Sequence, residues 1–148
     1  MMHTRTFLAL GVIAVSLGLG VCGVAMASDT QTLGAKLSGS SEVPANASPG
    51  SGELDASLDK RIGVLTWTLT YSGLTGPAKA GHFHGPAAAG SNAGVALGFT
   101  GNVESPIKGS ATLTDAQVAD LMAGKWYVNL HTAANPGGEV RGQVMPSP

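Results

Sequence analysis

Three of the four histidines in the 148-residue chain lie in two short segments whose pattern could bind a metal ion. His82 and His84 form a His-x-His pair, and His131 lies further along the chain in the segment 127–132. Residues two apart in a strand point to the same side, so His82 and His84 would present both imidazoles to one ion. Sites with three histidines and a water suit zinc, and copper also favours imidazole nitrogen. The sequence therefore predicts one copper or zinc ion bound by His82, His84 and His131.

Three further polar residues lie close to these histidines in the sequence and could support them, namely Asn129, Glu139 and Arg141. Such residues orient metal ligands through hydrogen bonds, and Glu139 could also act as a fourth ligand. A structural ion pair is the simpler interpretation of Glu139 and Arg141.

The histidines also have an interpretation without metal, in which each imidazole hydrogen-bonds the backbone or a carboxylate and holds the glycine-rich loop in place. The two interpretations differ in their pH dependence. Imidazoles must be neutral to bind a metal, so metal affinity should fall below about pH 6.5.

Other kinds of chemistry have little support in the sequence. It contains no nucleophile beside a base, no phosphate-binding loop in a strand-to-helix context and no paired carboxylates at a fixed spacing. Beyond residue 27 the chain carries seven basic and nine acidic residues without a basic patch, which argues against nucleic acid or anionic lipid as a partner. The sequence favours a non-enzymatic role.

The first 27 residues have the layout of a cleavable signal peptide. Arg5 precedes an apolar run over 7–15, and Ala25 and Ala27 form an A-x-A site. Cleavage after Ala27 would leave residues 28–148 as one periplasmic or secreted domain of 121 residues, with no membrane span and no cysteine for a disulfide. An uncleaved membrane anchor and a lipoprotein acylated at Cys22 are the alternatives.

The remaining chain shows the period-two alternation of strands. In the clearest case Leu65, Trp67 and Leu69 share one face, so Trp67 should lie in the core, whereas the loop 42–52 should lie on the surface. A capping box at Thr114 and a stop at Gly124 predict one short helix, at about 114–124. The predicted strands are 33–40, 53–59, 62–71, 79–84, 95–103, 106–113, 125–131 and 138–145. About eight strands and one short helix predict an all-β fold, a Greek-key or immunoglobulin-like β-sandwich.

Four segments resemble the CHRD domain family, which takes its name from a domain repeated in the extracellular protein chordin. They are Leu37-Ser38-Gly39-Ser40-Ser41-Glu42-Val43-Pro44, Gly81-His82-Phe83-His84-Gly85-Pro86-Ala87, Ala123-Gly124-Lys125-Trp126-Tyr127-Val128-Asn129-Leu130-His131-Thr132 and Asn135-Pro136-Gly137-Gly138-Glu139-Val140-Arg141-Gly142-Gln143. The resemblance extends from about Leu33 to Met145. It implies an extracellular β-sandwich of a kind that also occurs as single exported domains in bacteria. It implies no catalytic residues, and it maps the family's histidine motifs onto His82, His84, Asn129, His131 and Thr132.

A weaker similarity, in motif and fold class only, connects the His-x-His strand with copper/zinc superoxide dismutases. Three hypotheses follow. The leading one is an exported domain that binds one transition-metal ion. The second is a metal-free extracellular structural or protein-interaction module whose partner is unknown. The third is a copper redox enzyme similar to superoxide dismutase, although the chain has too few histidines for a two-metal site.

Overall fold

The computed structural model describes residues 29–148, which form eight strands, one α-helix and a short 3-10 helix. The predicted signal peptide and Cys22 lie outside the described residues. Within residues 29–148, no helix has the length and apolar character needed to cross a membrane. The elements are β1 (Thr30–Ser38), the 3-10 helix (Gly39–Ser41), β2 (Ser51–Asp59), β3 (Val64–Ser72), β4 (Ala78–His84), β5 (Val95–Gly98), β6 (Ile107–Thr112), α1 (Asp115–Met122), β7 (Trp126–Thr132) and β8 (Val140–Pro146).

All eight strands belong to one antiparallel sheet with the order β5-β4-β7-β8-β1-β2-β3-β6. The sheet curls so that strands far apart in the order face each other. Trp67 on β3 and Phe83 on β4, which are not neighbouring strands, make an edge contact with their ring centroids 5.3 Å apart. Both ends of the sheet therefore cover a common core. The predicted all-β fold with eight strands and one short helix is confirmed, and its description as a Greek-key or immunoglobulin-like sandwich stays a prediction.

Strand alternation places the apolar side chains inside the curled sheet. Leu65, Trp67 and Leu69 on β3 are 1%, 6% and 0% exposed, as the sequence predicts, and Phe83 on β4 is 0% exposed. Burying a side chain of this size contributes about 1.5–3 kcal/mol of transfer free energy. Phe83 points into the core, so its neighbours His82 and His84 lie on the opposite face of β4.

Some boundaries differ from the predicted ones. The strand predicted over 95–103 ends at Gly98, and the chain turns at Gly101, where φ is +83°. The loop 42–52 is not wholly a surface loop, because Glu42 is only 7% exposed and β2 already begins at Ser51.

The predicted helix is confirmed as α1, which begins with the capping box read from the sequence. The Thr114 hydroxyl accepts a hydrogen bond from the Gln117 backbone N–H, and the Gln117 side chain accepts one from the Thr114 backbone N–H. These two bonds satisfy N–H groups that have no partner within the helix itself.

The first and last strands are neighbours in the sheet. Leu33 on β1 is the register partner of Pro146 on β8. The backbone N–H of Ser147 donates to the Thr32 carbonyl at 2.9 Å, and the Gln31 amide donates to the Ser147 carbonyl at 2.7 Å. The two ends of the described chain therefore lie side by side.

Candidate metal centre

The antiparallel pairing of β4 with β7 brings the three histidines together. His82 lies opposite Asn129 in the register, and His131 lies opposite Ala80. One ring nitrogen from each of His82, His84 and His131 lies within 4.8 Å of the others. The three residues that the spacing singled out thus form one cluster.

His82 and His131 are in direct contact. The Nδ1 atom of His82 lies 3.0 Å from Nε2 of His131, and the other nitrogen of His131 lies 2.9 Å from the Pro136 carbonyl oxygen. A carbonyl only accepts hydrogen bonds, so Nδ1 of His131 carries a proton and, in the neutral ring, Nε2 carries the lone pair. The Pro136 carbonyl thereby leaves Nε2 of His131 ready to bind an ion or to accept a proton.

His84 is held at both of its ring nitrogens. Nδ1 lies 3.0 Å from the Ala93 carbonyl oxygen, and Nε2 lies 3.0 Å from Oδ1 of Asn129. The ring is buried and stacks on Tyr127, with the centroids 4.7 Å apart and the planes 3° from parallel. Both partners are acceptors, and a neutral imidazole has a single N–H, so only one of the two contacts is a hydrogen bond in the neutral ring. The other nitrogen then carries the lone pair, and it can bind a metal once the oxygen that faces it moves away.

Two of the imidazoles favour the neutral form. Burial lowers the pKa of His82, and the nearby charges of His131 and His84 lower it further. Burial also lowers the pKa of His84, and its hydrogen bonds to Ala93 and Asn129 only partly oppose that effect. Neutral imidazole is the form that metal binding requires.

Arg141 lies behind His84, on the other face of Tyr127. Its guanidinium carbon is 3.4 Å from the centre of the Tyr127 ring, a close cation–π contact. The guanidinium donates to Oδ1 of Asn92 at 2.8 Å and to the Ser91 carbonyl. Arg141 is 2% exposed, so it fastens the loop before β5 to the core.

Glu139 accepts hydrogen bonds from hydroxyl and backbone groups. It accepts from the hydroxyls of Thr132, Ser48 (2.7 Å) and Thr75 (2.8 Å), and from the Thr75 backbone N–H at 2.7 Å. Burial acts to raise its pKa, but these hydrogen bonds dominate and lower the pKa of Glu139 to about 2.

The interpretation of Glu139 and Arg141 as members of an ion pair is wrong. The one ion pair in the described part of the chain joins Lys36 to Glu53 at 3.1 Å on the surface. Glu139 needs no cation because four hydrogen-bond donors surround its carboxylate. The planar guanidinium of Arg141 instead donates to two oxygen acceptors and packs on the Tyr127 ring.

A family model described as the CHRD domain matches residues 33–144, which is most of the chain. The chain belongs to the CHRD domain family. No curated protein and no solved structure matches it significantly. The matched range of the CHRD domain contains the three histidines, Asn129, Glu139 and Arg141.

The sequence did not indicate the role of Glu42, a buried side chain of this CHRD domain. Asn129, which faces His84 through Oδ1, directs its Nδ2 atom to Oε1 of Glu42 at 3.5 Å. Burial raises the pKa of Glu42, opposed by the charge of Arg141 and the hydrogen bonds from Asn129 and Val43. Gly138, at φ +134°, lets the Glu42 carboxyl approach, because a Cβ there would overlap it. The Glu42-Val43-Pro44 segment was the available signal, but the two prolines and two glycines of the loop 42–52 indicated a surface loop.

Proposed function

We propose that this CHRD domain is exported and holds one transition-metal ion, copper or zinc, through His82, His84 and His131. The observation that carries the proposal is the convergence of three imidazole nitrogens within 4.8 Å of one another. The other polar groups around them, Asn129, Glu139 and Arg141, support the site without binding the ion.

The contact between His82 and His131 already has nearly the spacing that a metal needs. Two imidazole nitrogens at tetrahedral positions around zinc lie about 3.3 Å apart, given zinc–nitrogen distances of about 2.0–2.1 Å. Nδ1 of His82 and Nε2 of His131 lie 3.0 Å apart. Binding requires the Nδ1 proton of His82 to leave or to move to Nε2 of the same ring, which a neutral imidazole allows.

His84 would join as the third ligand when the oxygen that faces its unprotonated nitrogen moves away. That oxygen belongs to Asn129 or to Ala93, and displacing it costs no more than one hydrogen bond, about 1 kcal/mol net. That cost is small beside the binding free energy of a structural zinc site, about 10–16 kcal/mol. His84 is therefore the ligand whose contribution most needs a separate test.

The decisive experiment titrates untagged, metal-free protein with Zn²⁺ and, separately, with Cu²⁺. We expect one equivalent of metal per chain, lost in the His82→Ala and His131→Ala variants. The Cu²⁺ form should show three coupled nitrogens by electron paramagnetic resonance, and His84→Ala should reduce these to two. Lys108→Ala, an exposed change on β6, is the control and should bind like the wild type.

The proposal fails if the wild-type protein takes up no more metal than the His82→Ala variant. The alternative, a metal-free structural or interaction module, rests on the hydrogen bonds that hold all three imidazoles. It predicts that a chelator leaves the melting temperature unchanged and that the histidine variants lower it by the same amount with or without metal.

The copper redox hypothesis requires turnover in addition to binding. Copper-loaded protein that consumes superoxide at a rate well above the His82→Ala variant would support it. Equal rates would leave the domain a binding protein.

Export has its own test, which does not depend on the metal. Cleavage after Ala27 predicts that protein recovered from outside the cytoplasm begins at Ser28, which intact-mass spectrometry measures. A chain that still carries residues 1–27 would favour the membrane anchor, and one that begins at an acylated Cys22 would favour the lipoprotein.

A further inference from the structure

A cavity of about 290 Å³ lies beside the buried charges of Glu42 and Arg141. We call it the Glu42 pocket. Its lining includes Ser40, Ser41, Glu42, Ala89, Arg141 and Gln143, and none of the three histidines contributes to it. The volume lies just below the usual range for small-molecule sites, about 300–1,000 Å³, so the pocket suits a small ligand.

The walls of the Glu42 pocket carry hydrogen-bonding capacity that is only partly used. Glu42 is 7% exposed, and its carboxylate accepts from the Asn129 amide at 3.5 Å and from the Val43 backbone. A carboxylate can accept about four hydrogen bonds. Gln143 already uses its side-chain amide, which donates to the Ala87 and Gly124 carbonyls at 2.9 Å and 2.8 Å.

Donors are present in the same cavity. Arg141 uses two of its N–H groups on the loop before β5, and a guanidinium has five. The hydroxyls of Ser40 and Ser41 each contact the Ser38 hydroxyl at 2.9 Å, and a hydroxyl can both donate and accept. A ligand therefore meets acceptors and donors side by side.

The charges of the pocket favour a neutral ligand. Glu42 and Arg141 bring one negative and one positive charge to the same walls, and the two interact electrostatically. An ion of either sign would be attracted by one of these two groups and repelled by the other, so the pair offers it little net electrostatic gain against the cost of losing its water. Neighbouring hydroxyl groups cost less to dehydrate than an ion does, and each can donate to Glu42 and accept from Arg141 or a serine.

We propose that the Glu42 pocket binds a small neutral polyol, such as a single sugar residue, through hydrogen bonds to Glu42 and Arg141. This binding needs no metal ion and does not rest on the histidine cluster.

The experiment titrates ¹⁵N-labelled protein with a panel of neutral monosaccharides and their methyl glycosides. Methylammonium and acetate serve as charged probes. We expect at least one sugar to shift the backbone amide signals of Ser41 and Gly90 and the side-chain amide of Gln143, with no comparable shift from the charged probes. Binding of methyl glycosides would indicate the end of a glycan, and binding of free sugars alone would indicate a free sugar.

Two matched variants locate the binding. Ala89 is exposed and lines the pocket, so Ala89→Phe should fill it and abolish the shifts. Ala88 is equally exposed but is not part of the lining, so Ala88→Phe should bind like the wild type. Glu42→Gln should weaken binding at least tenfold, because it removes the charged acceptor.

Three results would overturn the proposal. They are a panel in which no sugar moves these signals, shifts that persist in Ala89→Phe, and stronger binding of methylammonium or acetate than of any sugar.

Discussion

Glu139 is a buried carboxylate whose negative charge is balanced by hydrogen bonds alone. Its donors come from three separate stretches of chain, at Ser48, Thr75 and Thr132. Hydrogen bonds to a charged group are worth about 1.5–3 kcal/mol each, more than those between neutral groups. Glu139 therefore holds these three stretches together and is important for folding.

We predict that Glu139→Gln lowers the free energy of unfolding by about 2–4 kcal/mol, because one carboxylate oxygen becomes an amide nitrogen that cannot accept from the two donors facing it, and the charge is lost. Urea denaturation measures the loss. Glu53→Gln, at an exposed site paired with Lys36, should change it by no more than about 1 kcal/mol.

The same residue predicts the response to acid. The folded protein holds the pKa of Glu139 at about 2, below the ordinary 4.5. Its contribution is therefore complete above pH 4.5 and is lost as the pH falls toward 2. The stability difference between wild type and Glu139→Gln should shrink over this range, and a constant difference would contradict the assignment.

The histidine cluster was predictable residue by residue, whereas its surroundings were not. The His-x-His spacing places His82 and His84 on one strand face in any strand, but the pairing that adds His131 depends on register. Glu42 lies 87 residues from Asn129 in sequence, and a carboxylate between a serine and a valine carries no mark of burial. Glu42 follows the 3-10 helix after β1, so this contact depends on how that connection packs against β7.

Among the elements, the edge strand β6 depends on close contact with an aromatic ring. Gly109 lies opposite Trp67 in the register, and a Cβ on Gly109 would overlap the six-membered ring of that side chain. Trp67 in turn stacks on Phe99, with the centroids 5.7 Å apart. A side chain at position 109 would therefore displace an aromatic cluster in the core.

We predict that Gly109→Ala destabilises the protein by about 1–3 kcal/mol, the usual cost of overpacking a core. Gly98→Ala on the opposite edge strand is the control, because a Cβ there meets only Cδ2 of His82 at 3.7 Å. Thermal denaturation followed by tryptophan fluorescence compares the two, and equal melting temperatures would refute the predicted overlap.

The capping box at the start of α1 also contributes to the stability of the fold. We predict that Thr114→Ala costs about 1 kcal/mol, since it removes the hydroxyl that accepts from the Gln117 N–H. Thr114→Ser keeps that acceptor and should retain most of the stability. Chemical denaturation distinguishes the two variants, and equal losses would assign the effect to the lost methyl group.

At the scale of the whole molecule, the number and type of elements followed from the sequence, but their order in the sheet did not. Alternation identifies each strand from its own residues, because one face of the curled sheet is buried. The pairing of β1 with β8 joins segments more than 100 residues apart, and no local sequence pattern specifies which strands pair. The strand predicted to reach Val103 ended early because Gly101 turns the chain.

Because β1 and β8 are neighbours, the order of the strands along the chain could be changed by circular permutation without disturbing the sheet. A short glycine-serine linker from Pro148 to Asp29 would join neighbouring ends, and new ends between Gly101 and Asn102 would fall in an exposed connection. We expect this circular permutant to show the wild-type circular dichroism spectrum, while failure to fold would show that the β5–β6 connection must be intact. The same adjacency would let the domain be inserted into a surface loop of another protein and present its histidine face there.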